Sequence, residues 1–507
     1  MASLFAQAGY TANMDMHPDT CYRAVRSRDA RFDGRFFTAV VTTGIFCRPV
    51  CPASPPKQSN CRFVPSAAAA MAAGFRPCLR CRPEAAPGSP AWKGVGSTVS
   101  RAMRLIGESA LDVGSVDDLS RRLGIGERHL RRLFLDHVGV GPKTVAQTRR
   151  LLFAKKLISE SGLPLTEIAL ISGFQSIRRF NDAFVKVYDR PPRDLRRELK
   201  KQADQTVTTS GKQSSLTLKL FYRPPYDWHS LINFLRVRAI PGVEEVSAQG
   251  YRRSVLLGGK PGTIDVKPCL EKNYLAATFE LVDLSHLQRA IEITRRLFDL
   301  DCDSTAVDTE LGADATLASL VKTRPGLRVP GAWNAFEISV RAILGQQISV
   351  SAATTFARRL VETFGTPLNL GQDDTLKFLF PEPDALIDAD IARIGLTTRR
   401  AETVRQMATA FTQGRIDLGM ADGLQAAQDM LCSVPGIGPW TAQYIAMRVL
   451  GDPDAFPVGD IALLRAINGR GENLTARDLE RRAEDWRPWR SYAALHLWND
   501  DAKGLKK

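Results

Sequence analysis

No uninterrupted apolar run in this sequence of 507 residues reaches the 18 or so residues that a membrane-spanning helix requires. The first ten residues, MASLFAQAGY, lack the basic region and apolar core of a secretory leader. The sequence also lacks the fixed-period repeat that marks a solenoid. With 44% hydrophobic and 24% charged residues, a mostly disordered or collagenous chain is excluded. We therefore expect a cytoplasmic, globular protein of several domains with no membrane partner.

Acidic residues fall short of basic ones, which gives the chain a formal net charge of +15 at pH 7. The shortage is confined to one part of the sequence. Residues 1–200 hold 32 Lys and Arg against 17 Asp and Glu, whereas the remaining 307 residues hold 37 of each. Because concentrated positive charge favours a polyanionic partner, the N-terminal two-fifths is the first candidate for electrostatic binding.

Six of the nine cysteines precede residue 82, and no histidine lies among the closely spaced ones. Cys47 and Cys51 form one short pair, and Cys78 and Cys81 form another. In a reducing compartment this clustering favours a metal site over disulfides. Two such loops can bring four thiolates to one Zn²⁺, at about 2.3 Å each. On spacing alone, a purely structural zinc ribbon is the simpler interpretation.

The residues around these pairs carry a further signal. FFTAVVTTGIFCRPVC at 36–51 and AAGFRPCLRC at 72–81 resemble the N-terminal domain of the Ada family of DNA alkylation-response proteins. The resemblance covers most of residues 15–85. It implies that Cys47 irreversibly takes a methyl group from a DNA methylphosphotriester, while Zn²⁺ keeps the sulfur a thiolate.

Methylation of one sulfur in a Zn(Cys)₄ site removes one negative charge, so the surface around it repels phosphate less. Four neighbouring arginines are candidates for holding the DNA backbone more tightly afterwards: Arg48, Arg76, Arg80 and Arg82. The alternative is a generally solvated basic face.

Two segments with helical periodicity follow. In SVDDLSRRLGIGERHLRRLFL, residues 115–135, a helix through Leu123 is broken by glycines, and a second helix exposes four side chains: Arg128, His129, Arg131 and Arg132. In the second copy, residues 165–187, the pattern places Ile177, Phe180 and Phe184 inward and makes five side chains available to DNA: Gln175, Ser176, Arg178, Arg179 and Asn181. Together they resemble an AraC-type regulator, which implies that two helices read the major groove of promoter DNA and that RNA polymerase is a partner. The alternative is a helical bundle with an incidental arginine face.

In the C-terminal half, Val434-Pro-Gly-Ile-Gly438 predicts a tight turn between two helices. Gly436 and Gly438 let backbone N–H groups face a phosphate at a helix start. Asp460 lies 22 residues after Gly438. This arrangement resembles the helix-hairpin-helix superfamily of base-excision glycosylases, in particular the AlkA branch, as do AFEISVRAILGQQIS at 335–349 and WRPWRSYAALHLW at 486–498. Residues 216–320 look like the strand-and-helix domain of that branch.

The resemblance implies that Asp460 stabilises the charged sugar during base release, although an aspartate here is also a good N-cap. It further implies a substrate pocket formed by Trp440, Tyr444, Trp498 and Gln346. Gln347 stands where some relatives carry an apolar wedge, which leaves its role open. Trp440 occupies the position of the lysine in strand-cleaving relatives, which predicts a monofunctional enzyme. The cysteines that hold an iron–sulfur cluster in some relatives are also missing.

The sequence therefore predicts a multidomain α+β protein, a bacterial fusion that responds to DNA methylation and acts as a monomer. We expect a small zinc-bound α/β domain (1–92), an all-α double helix-turn-helix domain (97–200), a linker (201–215), an α+β strand-and-helix domain (216–320) and an all-α glycosylase domain (321–507). No Pro-Cys-His-Arg motif is present, so repair of O6-alkylguanine is not expected.

Two alternatives remain open at this point. One is a transcription regulator whose glycosylase half is degenerate and only binds DNA. The other is a glycosylase whose zinc domain is only a DNA-docking module.

Overall fold

The computed structural model describes residues 16–87, 97–202, 215–369, 374–419, 421, 423–471 and 473–504. These fall into two compact units: an N-terminal unit of residues up to 223 with 284–289, and a C-terminal unit of residues 224–283 and 290 onward. The linker expected at 201–215 lies outside the described residues except at its two ends. None of the helices in the described part of the chain is long and apolar enough to cross a membrane.

The N-terminal unit begins with a small α/β domain. Its elements are α1 (Pro18–Ser27), β1 (Phe37–Val40), β2 (Ile45–Cys47), β3 (Cys61–Val64), α2 (Ala67–Ala72) and β4 (Arg76–Pro77). The sheet order is β3-β1-β2-β4; β1 runs antiparallel to both β2 and β3, and β2 runs parallel to β4. Since Phe37, Ala39 and Phe46 are buried together with Ala70 of α2, one helix covers one face of the sheet.

The rest of the N-terminal unit is almost wholly helical. Its elements are α3 (Ser97–Gly107), α4 (Ala110–Val113), α5 (Val116–Arg122), α6 (Glu127–Val138), α7 (Pro142–Glu160), α8 (Leu165–Ile171), α9 (Ile177–Tyr188), α10 (Pro192–Gln202) and the strand β5 (Ser215–Phe221). The long helix α7 contacts α6, α8 and α9. It thus connects the two expected helix-turn-helix motifs.

Both turns depend on a glycine with positive φ. Gly124 (φ 72°) lies between α5 and α6, and Gly173 (φ 82°) lies between α8 and α9. A Cβ on Gly173 would lie within 3.1 Å of all three carboxyl atoms of Asp112, so both conformation and space require glycine there. The expectation for Ile177 is wrong. Its side chain is 39% exposed, because this first residue of α9 precedes the part of the helix that packs on the core, where Phe180 and Phe184 are buried.

The C-terminal unit starts with an α+β portion. Its elements are α11 (Trp228–Arg236), β6 (Glu244–Val246), β7 (Tyr251–Leu257), β8 (Lys260–Cys269), β9 (Tyr274–Leu281), most of α12 (Leu287–Leu297), α13 (Ser304–Leu311) and α14 (Ala318–Thr323). Strands β6 to β9 form an antiparallel meander, with Arg253 opposite both Glu244 and Ile264.

The remaining portion is helical apart from one very short strand pair. Its elements are α15 (Ala335–Leu344), α16 (Val350–Phe364), β10 (Thr366–Pro367), β11 (Phe378–Leu379), α17 (Thr398–Thr412), α18 (Gly423–Cys432), α19 (Pro439–Leu450), α20 (Ile461–Asn468), α21 (Ala476–Ala483) and α22 (Arg490–Gly504). Buried residues of α15, α16, α17, α18 and α19 share one apolar core, which fixes the hairpin between α18 and α19. The multidomain α+β architecture expected from the sequence is confirmed.

Candidate functional site

The sheet of the N-terminal unit brings the four cysteines together. Cys47 ends β2 and Cys78 directly follows β4, and because these strands are parallel and adjacent, both ligand loops start at the same end of the sheet. The backbone N–H of Cys78 donates to Phe46 O at 3.0 Å, and that of Cys51 donates to Arg48 O at 3.2 Å. All four sulfur atoms lie within 4.8 Å of one another. Cys47 is partly exposed, and the other three are buried.

The chemistry of this donor set fits Zn²⁺. Hydrogen bonds among the thiols raise the pKa of Cys47 and of Cys81 and lower the pKa of Cys51 and of Cys78, so without a cation the protons stay on some of the four sulfurs. Four sulfurs this close therefore need a cation to be held as thiolates together. All-sulfur tetrahedral ligation is a common structural zinc site. The predicted site for one Zn²⁺ with ligands Cys47, Cys51, Cys78 and Cys81 is confirmed.

Arg48 is placed differently from the expectation of a free phosphate contact. Its backbone N–H donates to Cys81 Sγ at 3.3 Å, and its buried guanidinium donates to Asp33 Oδ1 at 2.8 Å and to Cys81 O at 3.0 Å. Burial alone would lower the pKa of Arg48, but the ion pair with Asp33 outweighs burial and raises it. Arg48 therefore supports the metal loop from inside.

Arg82 is also engaged within the protein. Its Nη2 donates to Glu160 Oε1 at 2.6 Å, its Nε lies 3.3 Å from Glu84 Oε1, and Lys155 Nζ donates to the same Glu84 oxygen at 2.6 Å. We call these four residues the Glu84 cluster. Burial raises the pKa of Glu84, but Lys155 and then Arg82 outweigh that effect and lower it. The cluster joins the segment after the last zinc ligand to α7, whereas Arg76 and Arg80 are exposed.

A cavity of about 700 Å³ opens beside Cys47. Arg76, Arg80 and Lys57 line it on the zinc-domain side, and Arg190, from the loop between α9 and α10, lines it as well. The partly exposed Cys47 thus borders a cavity with several cationic side chains in its lining, of which Arg190 pairs with Glu198.

The helix-turn-helix candidates are all exposed. Five lie on or just before helix α9 and four on α6: Gln175, Ser176, Arg178, Arg179, Asn181, Arg128, His129, Arg131 and Arg132. Ser176 Oγ caps α9 by accepting from Arg179 N at 3.2 Å, and Arg179 Nη1 donates to Gln175 Oε1 at 2.8 Å. These contacts hold the side chains at the helix start in a defined arrangement.

Asp460 directly precedes α20, and its carboxylate both caps that helix and accepts hydrogen bonds from two tryptophan side chains. Its Oδ1 caps that helix, accepting from Leu463 N at 2.9 Å. Trp440 Nε1 donates to Oδ2 at 2.9 Å, and Trp498 Nε1 donates to Oδ1 at 3.1 Å. The carboxylate is therefore fixed by three donors from three different helices.

The predicted pocket aromatics lie together beside this carboxylate. Trp440 stacks on Tyr444 with ring centroids 5.7 Å apart and planes 2° from parallel, and Tyr444 meets Trp498 edge-on at 6.2 Å. Sequence reasoning missed Arg448, whose Nη1 donates to Tyr444 Oη at 2.8 Å. The signal available was helical spacing, since residues 440, 444 and 448 are four apart on α19.

The loop that carries Asp460 is anchored from α22. Ser491 is fully buried, and its Oγ lies 2.7 Å from the carbonyl oxygens of both Asp452 and Ala455. Arg490 adds an ion pair with Asp454, with Nε to Oδ1 at 2.7 Å. The same helix supplies Trp498, so α22 positions the carboxylate and the loop before it together.

The hairpin between α18 and α19 is exposed at Gly436 and Gly438. Gly436 has φ 89°, and Gly438 is the N-cap of α19. Gln346 Nε2 donates to Gly436 O at 3.0 Å and to Thr441 Oγ1 at 3.1 Å, which ties the α15–α16 loop to the hairpin. Gln347, at φ 57°, is exposed in that loop.

Comparison with known families identifies four matches along the chain. They are "Metal binding domain of Ada" at residues 20–84, "Helix-turn-helix domain" at 119–198, "AlkA N-terminal domain" at 217–334 and "HhH-GPD superfamily base excision DNA repair protein" at 340–490.

Individual relatives agree with this order. The "Probable bifunctional transcriptional activator/DNA repair enzyme AlkA" of Mycobacterium tuberculosis is 40% identical over 95% of this chain and 97% of the relative. The Escherichia coli "DNA-3-methyladenine glycosylase 2" is 36% identical over 55% of this chain and 95% of the relative. The Escherichia coli "Bifunctional transcriptional activator/DNA repair enzyme Ada" is 36% identical over 31% of this chain and 42% of the relative. The chain therefore belongs to the family of bifunctional transcriptional activator/DNA repair enzymes in which an Ada-type zinc domain and a helix-turn-helix domain are fused to an AlkA-type DNA glycosylase.

Proposed function

We propose that this protein senses DNA methylation through Cys47, activates transcription, and excises alkylated purines of the 3-methyladenine type through Asp460. The observation that carries the enzymatic part is the setting of Asp460, which receives two indole N–H groups beside a cluster of aromatic rings. Similarity to the glycosylase from Escherichia coli supports the choice of lesion.

Base release builds positive charge on the deoxyribose, and a fixed carboxylate stabilises that charge. Asp460 would also orient or deprotonate the attacking water. Trp440, Tyr444 and Trp498 form the walls against which an extruded cationic base would stack. Gly436 and Gly438 would hold a backbone phosphate at the start of α19. Gln346 and Gln347 lie in the α15–α16 loop, which Gln346 ties to the hairpin.

The test is base release from methylated duplex DNA by wild-type protein and by Asp460→Asn. Asparagine is as good an N-cap as aspartate, so α20 should persist while the negative charge is lost. We expect excision to fall by about 10²–10³-fold, the usual cost of one electrostatic stabiliser. Unchanged excision by a folded Asp460→Asn protein would reject the assignment. Because Trp440 leaves no lysine in place to form a Schiff base, borohydride should trap no covalent DNA adduct.

For the sensor, the partial exposure of Cys47 next to the cationic cavity supports its role as acceptor. Zn²⁺, when bound, keeps the sulfur nucleophilic at neutral pH. The Cys47 sulfur would attack the methyl carbon, a new S–C bond would form, and the C–O bond would break. The phosphotriester then leaves as an ordinary anionic phosphodiester, so the reaction needs no added proton and occurs once per protein.

Mass spectrometry after incubation with methylphosphotriester DNA should find one added methyl group on the peptide containing Cys47. Cys61, a partly exposed thiol outside the four-sulfur set, provides the matched control. Cys61→Ser should retain full methyl uptake, and Cys47→Ser should show none. Methyl gain elsewhere, or no gain, would reduce the zinc domain to a docking module.

For the regulator, the exposed side chains on α6 and at the start of α9 would read successive major-groove faces of promoter DNA. RNA polymerase is the partner that activation requires. We place the protein in the bacterial cytoplasm as a monomer.

A further inference from the structure

The hydroxyl group of Tyr444 lies in an unusual electrostatic setting. Arg448 Nη1 donates to Tyr444 Oη at 2.8 Å, and a guanidinium group can only donate. Arg238 is the second cation that acts on this oxygen. The guanidinium carbon of Arg238 lies 3.7 Å from the centre of the Phe234 ring, and that of Arg448 lies 5.0 Å from the same centre. Both guanidinium groups therefore lie near the same aromatic ring.

A phenol hydroxyl has one proton to donate. Since Arg448 occupies an acceptor position, that proton must point elsewhere. Within the described part of the chain, no residue accepts it, and the nearby indole groups of Trp440 and Trp498 donate to Asp460. The hydroxyl that carries this proton belongs to the ring that stacks on Trp440 and meets Trp498, beside Asp460.

Three arginines make Tyr444 a stronger acid than other buried tyrosines. Burial raises the pKa of Tyr251 and of Tyr492, which lie in the same unit. Burial acts in the same direction on Tyr444, but the charges of Arg448, Arg238 and Arg341 outweigh it and lower its pKa. The tyrosinate that forms when the proton leaves would be stabilised by the same cations.

We propose that Tyr444 is a catalytic residue that donates its hydroxyl proton to the leaving base when the damaged purine is uncharged. This inference rests on the glycosylase function proposed above. A cationic methylated purine needs no such help, because it takes the electron pair of the glycosidic bond and leaves as a neutral base. An uncharged purine takes the same pair and leaves as an anion, unless it is protonated as the bond breaks.

The step balances without a further reactant. The bond between C1′ and the base nitrogen breaks, and its electron pair goes to the base. The Tyr444 proton moves to that base, leaving a tyrosinate beside Arg448 and Arg238. Water adds to C1′, Asp460 accepts the proton that the water loses, and this proton returns to Tyr444 through solvent.

The test compares two duplexes under single-turnover conditions, one with 7-methylguanine, which is cationic, and one with hypoxanthine, which is uncharged. In Tyr444→Phe, the ring remains and the proton is lost. Hypoxanthine release should fall by about 10²–10⁴-fold, the contribution of a general acid. Release of 7-methylguanine should fall less than about tenfold, since stacking persists. Both rates come from the same preparation, so partial unfolding would lower both equally.

Tyr226→Phe is the matched control, since its hydroxyl bonds Phe298 O at 2.8 Å elsewhere in the same unit, and both of its rates should be unchanged. Equal losses on the two substrates in Tyr444→Phe, or no loss on hypoxanthine, would overturn the proposal. Wild-type protein that releases 7-methylguanine but not hypoxanthine would overturn this inference alone. Failure to release either base would instead reject the proposed glycosylase function.

Discussion

Replacing Glu84 by Gln should loosen the attachment of the zinc domain to helix α7. The Glu84 and Lys155 side chains are 1% and 0% exposed, so Glu84→Gln leaves a buried ammonium group without its counter-ion. Breaking a buried pair in this way costs about 3–5 kcal/mol. Lys155→Met should cost less, because Glu84 keeps Arg82 as a partner, with Nε 3.3 Å from Oε1. The double variant should recover much of the loss.

Hydrogen exchange under native conditions, read on peptides from α7, is the appropriate assay because a chain of several domains does not unfold in one step. Asp117→Asn provides the control, since Asp117 pairs with Arg121 on the surface, where the two side chains are 64% and 68% exposed. Such a pair is worth less than about 1 kcal/mol. If Glu84→Gln proved as mild as Asp117→Asn, or if the double variant lost the sum of both single losses, the buried pair would not hold α7 as argued.

Three further perturbations test other parts of the structure. Burial raises the pKa of Asp299 from 3.8 to about 7. The protonated carboxyl therefore stabilises the folded state at low pH, and the free energy of unfolding falls by up to about 4 kcal/mol as the pH rises from about 4 through 7. Asp299→Asn should remove this slope in urea unfolding of the C-terminal unit measured at pH 5 and pH 8, and an unchanged slope would contradict the assignment. Gly436→Ala should lower the free energy of unfolding by about 1–3 kcal/mol, because φ is 89° and the new Cβ would lie 2.2 Å from Thr403 Oγ1. Gly438→Ala is the control and should be tolerated, since its Cβ would meet nothing within 4 Å. Thermal unfolding distinguishes the two variants. Chelation should release one Zn²⁺ per chain and expose the amides of residues 37–64 to exchange, since structural zinc contributes on the order of 10 kcal/mol, while amides of the C-terminal unit keep their protection.

Local spacing in the sequence predicts those features whose chemistry is itself local. Three features are recognisable because their residues are only a few positions apart: the two short cysteine pairs, the glycines at the helix-turn-helix turns, and the Pro-Gly-Ile-Gly hairpin. The strands near 215–221, 251–257 and 274–281 follow from alternation of apolar residues in the same way.

Interactions between distant parts of the chain could not be predicted in this way. The position of Arg48 beside Cys47 suggests a contact with a DNA phosphate. In the structure its guanidinium instead donates to Asp33, a buried residue outside the cysteine motif. Glu84 meets Lys155 from 71 positions away. Because a charged side chain can reach either solvent or a buried partner, only the tertiary arrangement decides between a DNA contact and a structural one.

Helix α22 has a consequence for the order of events during biosynthesis. It follows all the other described helices in the chain, yet it supplies Trp498 to Asp460 and the anchors Arg490 and Ser491 to the preceding loop. Ribosomes release a chain from its N-terminus onward, and domains fold as they emerge. The N-terminal unit can therefore mature before α22 reaches the loop that carries Asp460, so under the function proposed above a nascent chain would sense alkylation before it could excise a base from DNA.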